Sequence, residues 1–388
     1  MKIGIITFHF VTNQGAVLQC YALQTYLEKL GHTVSIINYQ PAYHMVRYAA
    51  WKNPFVFSLV RWRQTYKLNT RKRLFKSFLS FLAAMKANIK RVDVKKEKIF
   101  KTFTDQYLHM TDKYTTLDSL KDNFPQMDVY ISGSDQLWNP ILLDGGFDPA
   151  YFLDFGNDKI FKMTYAVSLK ETYSNEEKKQ LGELCKHLNA IGIREDNSDL
   201  ENSIEQSINI QVDPTLLLDS ADYKRIECQR LVDEPYIFVY GFQNLKSINR
   251  LVCEISEKNN LKVINGSPNK VLLTCQCNKV YNYGPSEFLS YVKNAEFIVT
   301  NSFHGTAFSI IYRKQFAVIP HTTRGKRMIR LLGKLGLSKR LWKPENFNWW
   351  EKVDYSTVEE KLSLLRNESY QYLHNNLALA KSKHNIRV

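Results

Sequence analysis

The chain has 388 residues, of which 44% are hydrophobic, 13% aromatic and 23% charged, and its formal net charge is +15. This composition is typical of a globular protein with one large or two ordinary domains. No apolar run reaches the roughly 18 residues of a membrane span, and no small-residue cleavage site follows the N-terminus, so we expect neither a membrane span nor a secretory signal.

The six cysteines form no CxxC pair, and Cys275 and Cys277 are too close together for the usual zinc spacing. Together with the missing secretory signal, this cysteine usage indicates a protein of the reducing cytoplasm. We expect no structural metal and no cofactor.

The first 40 residues predict a strand at 2–8, a helix at 16–30 and a second strand at 33–39. Apolar residues line one side of the helix, and Gly31 ends it. This βαβ pattern opens a parallel sheet. A G-x-G-x-x-G fingerprint is absent, which argues against a dinucleotide-binding fold in the strict sense.

Residues 41–124 interrupt this rhythm and predict a basic helical insertion. Between Arg47 and Lys101 there are 16 Lys and Arg residues against two acids, so this segment carries +14. Apolar residues recur there at helical spacing, namely at Leu74, Phe78, Leu82, Met85 and Ile89. The favoured interpretation is a core-facing apolar stripe beneath a solvated basic face. The alternative is peripheral contact of residues 47–101 with an anionic inner-membrane surface, or with a pyrophosphate-bearing acceptor.

The sheet pattern resumes at 128–131 and ends in the small polar run Ser132-Gly133-Ser134-Asp135. Strands at 162–167 and 190–193 enclose a helix at 176–188, and Arg194 follows the last strand. Pro214 marks the expected crossing into a second domain. The N-terminal domain is therefore predicted at 1–214.

The second half repeats the alternation, with a domain predicted at 215–345 and a helical tail at 346–388. Strands are predicted at 236–240, 261–265, 296–300 and 315–319, and helices at 246–259, 286–294 and 326–335. Ser286, after Pro285, is the predicted cap of the second of these helices. Two Rossmann-like halves facing an interdomain cleft make an α/β, GT-B-like fold the expected class.

One segment stands at the end of the predicted strand 296–300, where a helix begins. It reads Thr300-Asn301-Ser302-Phe303-His304-Gly305. Ligands bind at the carboxyl edge of open α/β sheets, and a helix N-terminus there favours anions. A histidine at the same point can supply a proton or a positive charge. The alternative is that His304 is a capped, structural histidine.

Several motifs, in order along the chain, resemble the polysaccharide pyruvyl transferase family. They are NQGAVLQ with YALQ at 13–24, SGSDQLWNP at 132–140, GIRED at 192–196, DPTLL at 213–217, TNSFHG at 300–305, and the helix that begins near RGKRM at 324–328. Each is weak alone, but the ordered set from about residue 3 to 340 is specific. The resemblance implies a GT-B-like transferase. It would move pyruvate from phosphoenolpyruvate onto two hydroxyls of a polysaccharide or lipid-linked sugar, for capsule, exopolysaccharide or cell-surface glycan synthesis.

The resemblance also implies roles for particular residues. His304 would be the general acid, and Arg194 would hold a donor carboxylate, the alternative for Arg194 being an ion pair with Glu195 or Asp196. The remaining donor-binding residues would be Asn301, Ser302, Gly305, Thr306 and Arg324. Residues facing the acceptor or the cleft would be Asn13, Gly15, Ser132, Gly133, Ser134, Asp135, Trp138 and Asn139. Trp138 would stack on a sugar ring or else belong to the core.

Ser302 departs from the family, because better-known members often carry arginine two positions before this histidine. The cation that is then missing would come from Arg313, Lys314, Arg324 or Lys326, and the alternative is that the chain uses a different donor. Two further functions compete. A glycosyltransferase using a nucleotide sugar would need a carboxylate for the ribose, with Glu287 as the candidate. A nucleic-acid-binding protein would use the basic insertion, but no base-reading motif is present.

Overall fold

The computed structural model describes residues 1–44, 54–65, 68–90, 94–140, 143, 146–195, 200, 203–243, 245–267, 273–320, 325–345 and 347–385. The chain forms two compact units, Met1–Pro214 with Ser369–Val388, and Thr215–Glu368. The division falls after Pro214, the residue at which the sequence placed it.

The first unit contains two parallel sheets. The first has the order β3-β2-β1-β4-β6, and its strands are β1 (Lys2–Ile6), β2 (Thr33–Tyr39), β3 (Met110–Tyr114), β4 (Val129–Ser132) and β6 (Phe161–Thr164). The second has the order β5-β7-β8-β9, and its strands are β5 (Asp135–Trp138), β7 (Val167–Leu169), β8 (Ile191–Ile193) and β9 (Ile208–Ile210).

Helices connect these strands, and several of them begin at polar caps. They are α1 (Gln14–Lys29), α2 (Pro54–Gln64), α3 (Thr70–Lys90), α4 (Val94–Tyr107), α5 (Leu117–Asp122) and α6 (Asn175–Cys185). Asn13 accepts the Ala16 N–H at the start of α1, and Ser174 with Glu177 forms a capping box at α6. Such caps satisfy N–H groups that a helix start would otherwise leave open.

Two predictions for the insertion at 41–124 were wrong. The segment is not wholly helical, because β3 lies within it and pairs with β2 at the edge of the sheet. Its residues are mostly polar and partly exposed, so the alternation that marks a strand is lost. The apolar stripe of α3 does not face a core, since Leu74, Phe78, Leu82 and Met85 are all about half exposed.

The second unit contains one parallel sheet in the order β12-β11-β10-β13-β14. Its strands are β10 (Tyr236–Tyr240), β11 (Lys262–Asn265), β12 (Asn278–Lys279), β13 (Phe297–Thr300) and β14 (Gln315–Val318). Its helices are α7 (Ser220–Tyr223), α8 (Leu245–Asn259), α9 (Pro285–Asn294), α10 (Phe303–Ile311), α11 (Lys326–Lys334) and the first part of α12 (Tyr355–Asn385).

Two boundaries in this part of the chain differ from the prediction. Gly284, not Ser286, caps α9, because Pro285 fits the first helical position and the Glu287 carboxylate accepts the Gly284 N–H at 2.9 Å. The tail at 346–388 is not a separate element. Helix α12 continues from the second unit into the first, where the Tyr372 hydroxyl donates to the Thr164 carbonyl at 2.8 Å.

The first sheet of the first unit and the sheet of the second unit have equivalent strand orders. In each sheet, the strands are first added toward one edge and then toward the other. The order switches between β1 and β4 in the first sheet and between β10 and β13 in the second, and we call this place the switch point. Both faces of β10 and β13 are fully buried, which explains their continuous apolar sequences. The chain is thus α/β and GT-B-like, with two Rossmann-like units, as predicted; the cleft between them stays a prediction.

No helix among the described residues combines the length and apolarity needed to cross a bilayer.

Candidate functional site

The His304 segment lies at the switch point of the second unit's sheet. Strand β13 ends at Thr300 and α10 begins at Phe303, so only two residues turn the chain. Ser302 caps the helix, and its side-chain oxygen accepts the Gly305 N–H at 3.4 Å. A Cβ added to Gly305 would come well inside contact distance of the Thr300 hydroxyl, so the turn is this tight only because residue 305 has no side chain.

Hydrogen bonds hold this turn against the neighbouring strand β10. The Thr300 hydroxyl donates to the Tyr240 carbonyl at 2.7 Å and accepts the Ser302 N–H at 3.0 Å. The Asn301 amide accepts the Phe242 N–H at 2.7 Å and donates to the Gln243 carbonyl at 2.6 Å. The two strand ends at the switch point are therefore fastened to each other by side chains.

His304 occupies the second position of α10 and is partly exposed. Its ring lies edge-on to that of Phe303, with centroids 5.4 Å apart. The partial positive charge of a helix N-terminus favours an anion at this point. The arrangement can therefore offer an imidazole and helix N–H groups to the same small anion.

The other predicted donor residues support this turn. Thr306 is fully buried, and its hydroxyl donates to the Ser302 carbonyl at 3.0 Å. The polar side-chain atoms of Asn301 and Ser302 are engaged with backbone groups of the loops, as described above. Their direct contact with a donor stays a prediction, and Arg324 lies outside the described residues.

The sheet topology also bears on the cation expected in place of the family's arginine. Arg313 and Lys314 precede β14 and so lie at the amino edge of the sheet, whereas Thr300 at the carboxyl edge pairs with Val318. Neither can reach the His304 turn, which corrects that part of the prediction. Lys326 is exposed at the start of α11, which follows the carboxyl end of β14.

In the first unit, the run Ser132–Asp135 leads from the last residue of β4 to the first residue of β5, at the other switch point. Ser132 is buried, and its hydroxyl donates to the Tyr151 carbonyl at 2.7 Å. A Cβ on Gly133 would lie 3.1 Å from Ile5, so the turn packs closely on β1. Asp135 has φ +87°, a conformation that costs a non-glycine residue energy. Such strain is typical of functional sites, and the Asp135 side chain keeps some exposure.

Arg194 is buried within a cluster of carboxylates. Its guanidinium donates to Asp213 and, at 3.2 Å, to Glu195, and Ser134 lies 3.3 Å from it. Burial works against the charged form, but the carboxylates of Glu195, Asp213 and Asp135 outweigh it and raise the pKa of Arg194. The ion pair with Glu195 considered from the sequence is present, while Asp196 lies outside the described residues. These carboxylates already balance the positive charge of Arg194. The binding of a donor carboxylate by Arg194 stays a prediction.

Trp138 does not stack on a sugar ring. It is fully buried, lies parallel to Phe152 with ring centroids 4.7 Å apart, and donates from Nε1 to the Tyr151 carbonyl at 3.3 Å. Asn139 and Gly15 are buried as well. Of the residues predicted to face an acceptor, Asn13, which caps α1, and Asp135 keep partly exposed side chains.

Comparison with known families decides the class. Residues 13–323 match the family model of polysaccharide pyruvyl transferases. The chain belongs to this family. It is accordingly a transferase, and the family implies a glycan acceptor.

No curated protein matches this pyruvyl transferase family member. Among solved structures, the chain is similar to a UDP-GlcNAc 2-epimerase from Methanocaldococcus jannaschii, at 15% identity and a TM-score of 0.45, over 95% of this chain and 93% of that one. The UDP-GlcNAc 2-epimerase of Neisseria meningitidis bound to UDP-GlcNAc has 12% identity and a TM-score of 0.45, over 97% of this chain and 100% of that one. The E. coli heptosyltransferase WaaC has 9% identity and a TM-score of 0.38, over 94% of this chain and 99% of that one. These likenesses carry no information about substrate.

Sequence reasoning missed one histidine of the transferase, His9, in the loop after β1. It is buried, with Nδ1 3.1 Å from the Thr7 carbonyl and Nε2 hydrogen-bonded to the Asn38 amide at 3.0 Å. Burial lowers its pKa, and these hydrogen bonds oppose the shift. Thr7 and His9 after β1, together with the polar Asn38 near the end of β2, could have indicated this cluster.

A second missed group centres on Asp148, which is buried where the hydroxyls of Tyr43 and Tyr39 donate to it at 2.5 and 2.9 Å. Burial raises its pKa, against the effect of these donors. Its position far along the chain from both tyrosines gave no local signal. Over the described ranges, no three His, Cys, Asp or Glu side chains are placed to hold a metal ion.

Proposed function

We propose that this pyruvyl transferase uses phosphoenolpyruvate as donor and forms a pyruvate ketal on two hydroxyls of a cell-surface glycan or its lipid-linked precursor. The observation that carries the proposal is the placement of His304. It joins an ionisable ring to a helix N-terminus at the sheet's switch point, within the segment that matches the family.

The donor's chemistry suits such a place. Phosphoenolpyruvate carries a carboxylate and a phosphate, which favour a helix N-terminus, and an enol methylene that must take up a proton. His304 gives that proton to the methylene carbon, which becomes a methyl group. The adjacent carbon turns electrophilic, a sugar hydroxyl adds there and loses its proton, and phosphate leaves with its bonding electrons. The second hydroxyl adds to the same carbon and loses its proton too. Of the two hydroxyl protons, one replaces the proton that His304 gave and the other leaves with the phosphate, so one phosphate is released for each ketal.

A cation beside the phosphate would assist its departure. Among the described candidates, Lys326 is exposed at the start of α11, the helix that follows β14 in the chain. We assign it to the donor phosphate, in place of the arginine that Ser302 replaces. On the acceptor side, the proposal retains Asn13 and Asp135, since these two side chains keep partial exposure.

The proposal is tested by measuring phosphate release from phosphoenolpyruvate with a panel of soluble and lipid-pyrophosphate-linked glycans, and the mass of each product. We expect equal amounts of phosphate and ketal. Thermal stabilisation by UDP- or GDP-sugars, with none by phosphoenolpyruvate, would support the glycosyltransferase alternative. The Glu287 carboxylate, which that alternative would use for the ribose, accepts the Gly284 N–H at the start of α9.

Lys326→Met should raise the KM for phosphoenolpyruvate by roughly tenfold, the usual loss for one charged contact. Lys334→Met, at the opposite end of the same helix, is the matched control and should leave KM unchanged. Equal effects of both substitutions would remove Lys326 from the donor site.

A further inference from the structure

The outward face of α3 exposes a broad apolar surface. Its members are all about half exposed or more: Leu74 at 58%, Phe75 at 63%, Phe78 at 59%, Leu79 at 47%, Leu82 at 46% and Met85 at 46%. At about 100° per residue, they cover an arc of about 140° on one side of the helix. Single exposed apolar residues need no explanation, but a continuous face of six does.

The other side of α3 packs on α2, and it is the less apolar of the two. Its most buried members are Ser77 and Ala84. Arg73 lies 3.9 Å above the Trp62 ring and donates to the Trp62 carbonyl at 3.2 Å, so it holds the two helices together and is not part of the exposed surface. A surface helix of a globular domain normally turns its more apolar side inward. Helix α3 does the reverse.

The neighbouring helix α4 shows that this inversion is not general in the basic segment. It buries Phe100 and Phe103, the latter against Tyr21 of α1, and exposes Lys95, Lys98 and Lys101. Its apolar stripe is covered by the first unit. The outward stripe of α3 has no such cover in the described part of the chain.

The charge around this face indicates what would cover it. Across α2 and α3 the sequence has eight Lys and Arg residues and no Asp or Glu. Arg71, Lys72 and Lys76 are exposed in the first two turns of α3. A second copy of the chain would bring an equally positive surface against this one, and the repulsion argues against that occupant. The fitting occupant is apolar within and negatively charged at its surface.

We propose that the outward face of α3 docks on an anionic membrane surface. The apolar side chains enter the boundary between headgroups and acyl chains, and the neighbouring lysines and arginines contact lipid phosphates. Of the basic segment 47–101, residues 47–53, 66–67 and 91–93 lie outside the described part of the chain. The proposal rests on α3 alone and does not depend on the donor or on catalysis.

Co-sedimentation of the full chain with vesicles tests it. The vesicles are phosphatidylcholine alone, or phosphatidylcholine with about one-third phosphatidylglycerol. We expect binding to the anionic vesicles that weakens as salt is raised. Phe75→Ser/Phe78→Ser/Leu82→Ser should lower the partition coefficient at least roughly tenfold. Arg71→Gln/Lys72→Gln/Lys76→Gln should lower it roughly 10- to 100-fold.

The matched control is Leu364→Ser/Leu379→Ser, which removes two leucines of α12 exposed at 65% and 55% and should leave binding unchanged. Thermal unfolding checks that each variant folds. The proposal is overturned if the wild-type chain does not bind anionic vesicles, or if the α3 variants bind as it does. Self-association that the serine variant abolishes, without vesicle binding by the wild type, would assign the face to a second copy instead.

Discussion

Two histidines stand at the switch points of the two units, and their surroundings differ. His9 follows β1 and is enclosed, with both ring nitrogens hydrogen-bonded and a pKa lowered by burial. His304 follows β13 and is partly exposed on the first turn of a helix. The switch point thus has a fully enclosed histidine beside it in one unit and a partly exposed histidine in the other.

The charged groups beside the switch point of the first unit are enclosed and bonded to neighbouring groups, as His9 is. The charge of Arg194 is balanced by Asp213 and Glu195, and the Ser134 hydroxyl lies within hydrogen-bond distance of both Arg194 and Asp213. The charges of this cluster are paired with each other, whereas the side chains of Thr300 and Asn301 in the His304 turn hydrogen-bond to backbone groups. Topology alone therefore locates two sheet edges of the kind at which ligands bind in α/β proteins, and the hydrogen bonding of their side chains distinguishes the two.

The largest expected effect is on catalysis by His304→Ala. Loss of a general acid should lower turnover by roughly 10²- to 10⁴-fold. The melting temperature should change little, because the side chains of Thr300 and Asn301 make the hydrogen bonds that fasten the turn to β10. Phosphate release and thermal unfolding measure the two quantities. His109→Ala, which removes an exposed histidine paired with Glu28, is the control and should affect neither. Parallel losses of stability and activity in His304→Ala would make this histidine structural, like His9.

Arg194→Met should act mainly on stability. It leaves Asp213 and Glu195 buried without their cation, at a cost of about 3–5 kcal/mol in the free energy of unfolding. Denaturant unfolding measures this cost, and Lys101→Met is the control, since its pair with Asp105 is exposed and worth less than about 1 kcal/mol. A variant as stable as the wild type that fails to bind phosphoenolpyruvate would restore Arg194 to the donor site and reverse the comparison.

Gly305→Ala should disturb the turn that carries His304. The new methyl group would force the Thr300 hydroxyl away from the Tyr240 carbonyl, which we expect to cost about 1–3 kcal/mol. Gly333→Ala is the matched control, because nothing lies within 4 Å of the added carbon in α11. It should be neutral or stabilising by up to about 1 kcal/mol. If both variants unfold alike, close packing is not what sets this turn.

The elements buried on both sides were predictable because their sequences are continuous apolar runs. Strand β10 was predicted at its observed bounds, and β13 within one residue. The edge strand β3 was not, because Thr111, Asp112 and Lys113 carry no alternation of apolar and polar residues. Helical periodicity in α3 predicted an apolar face correctly, but periodicity does not tell whether another element covers that face.

The residues of the candidate site likewise include some that could be recognised from the sequence and some that could not. Thr300–Gly305 could be recognised from its position after a strand and from the family motif. The partners Asp213 and Ser134 of Arg194 could not be recognised in this way. Both are distant in sequence from Arg194 and from each other, and only the fold brings the three side chains together. Trp138 shows the converse. A tryptophan inside a motif suggested a sugar platform, but its stacking on Phe152 assigns it to the core.

The smallest expected effect is a change in pH dependence on replacing His9. Its pKa is lowered in the folded chain, so below the unfolded value of about 6.5 the unfolded state binds more protons than the folded state. Stability contributed by this residue is therefore lost as the pH falls below that value. His9→Gln should flatten the decline in melting temperature between about pH 7 and pH 5, relative to the wild type, whereas the exposed His374→Gln should not. An unchanged slope in His9→Gln would mean that this histidine gains its proton without cost, and the contrast with His304 would then rest on exposure alone.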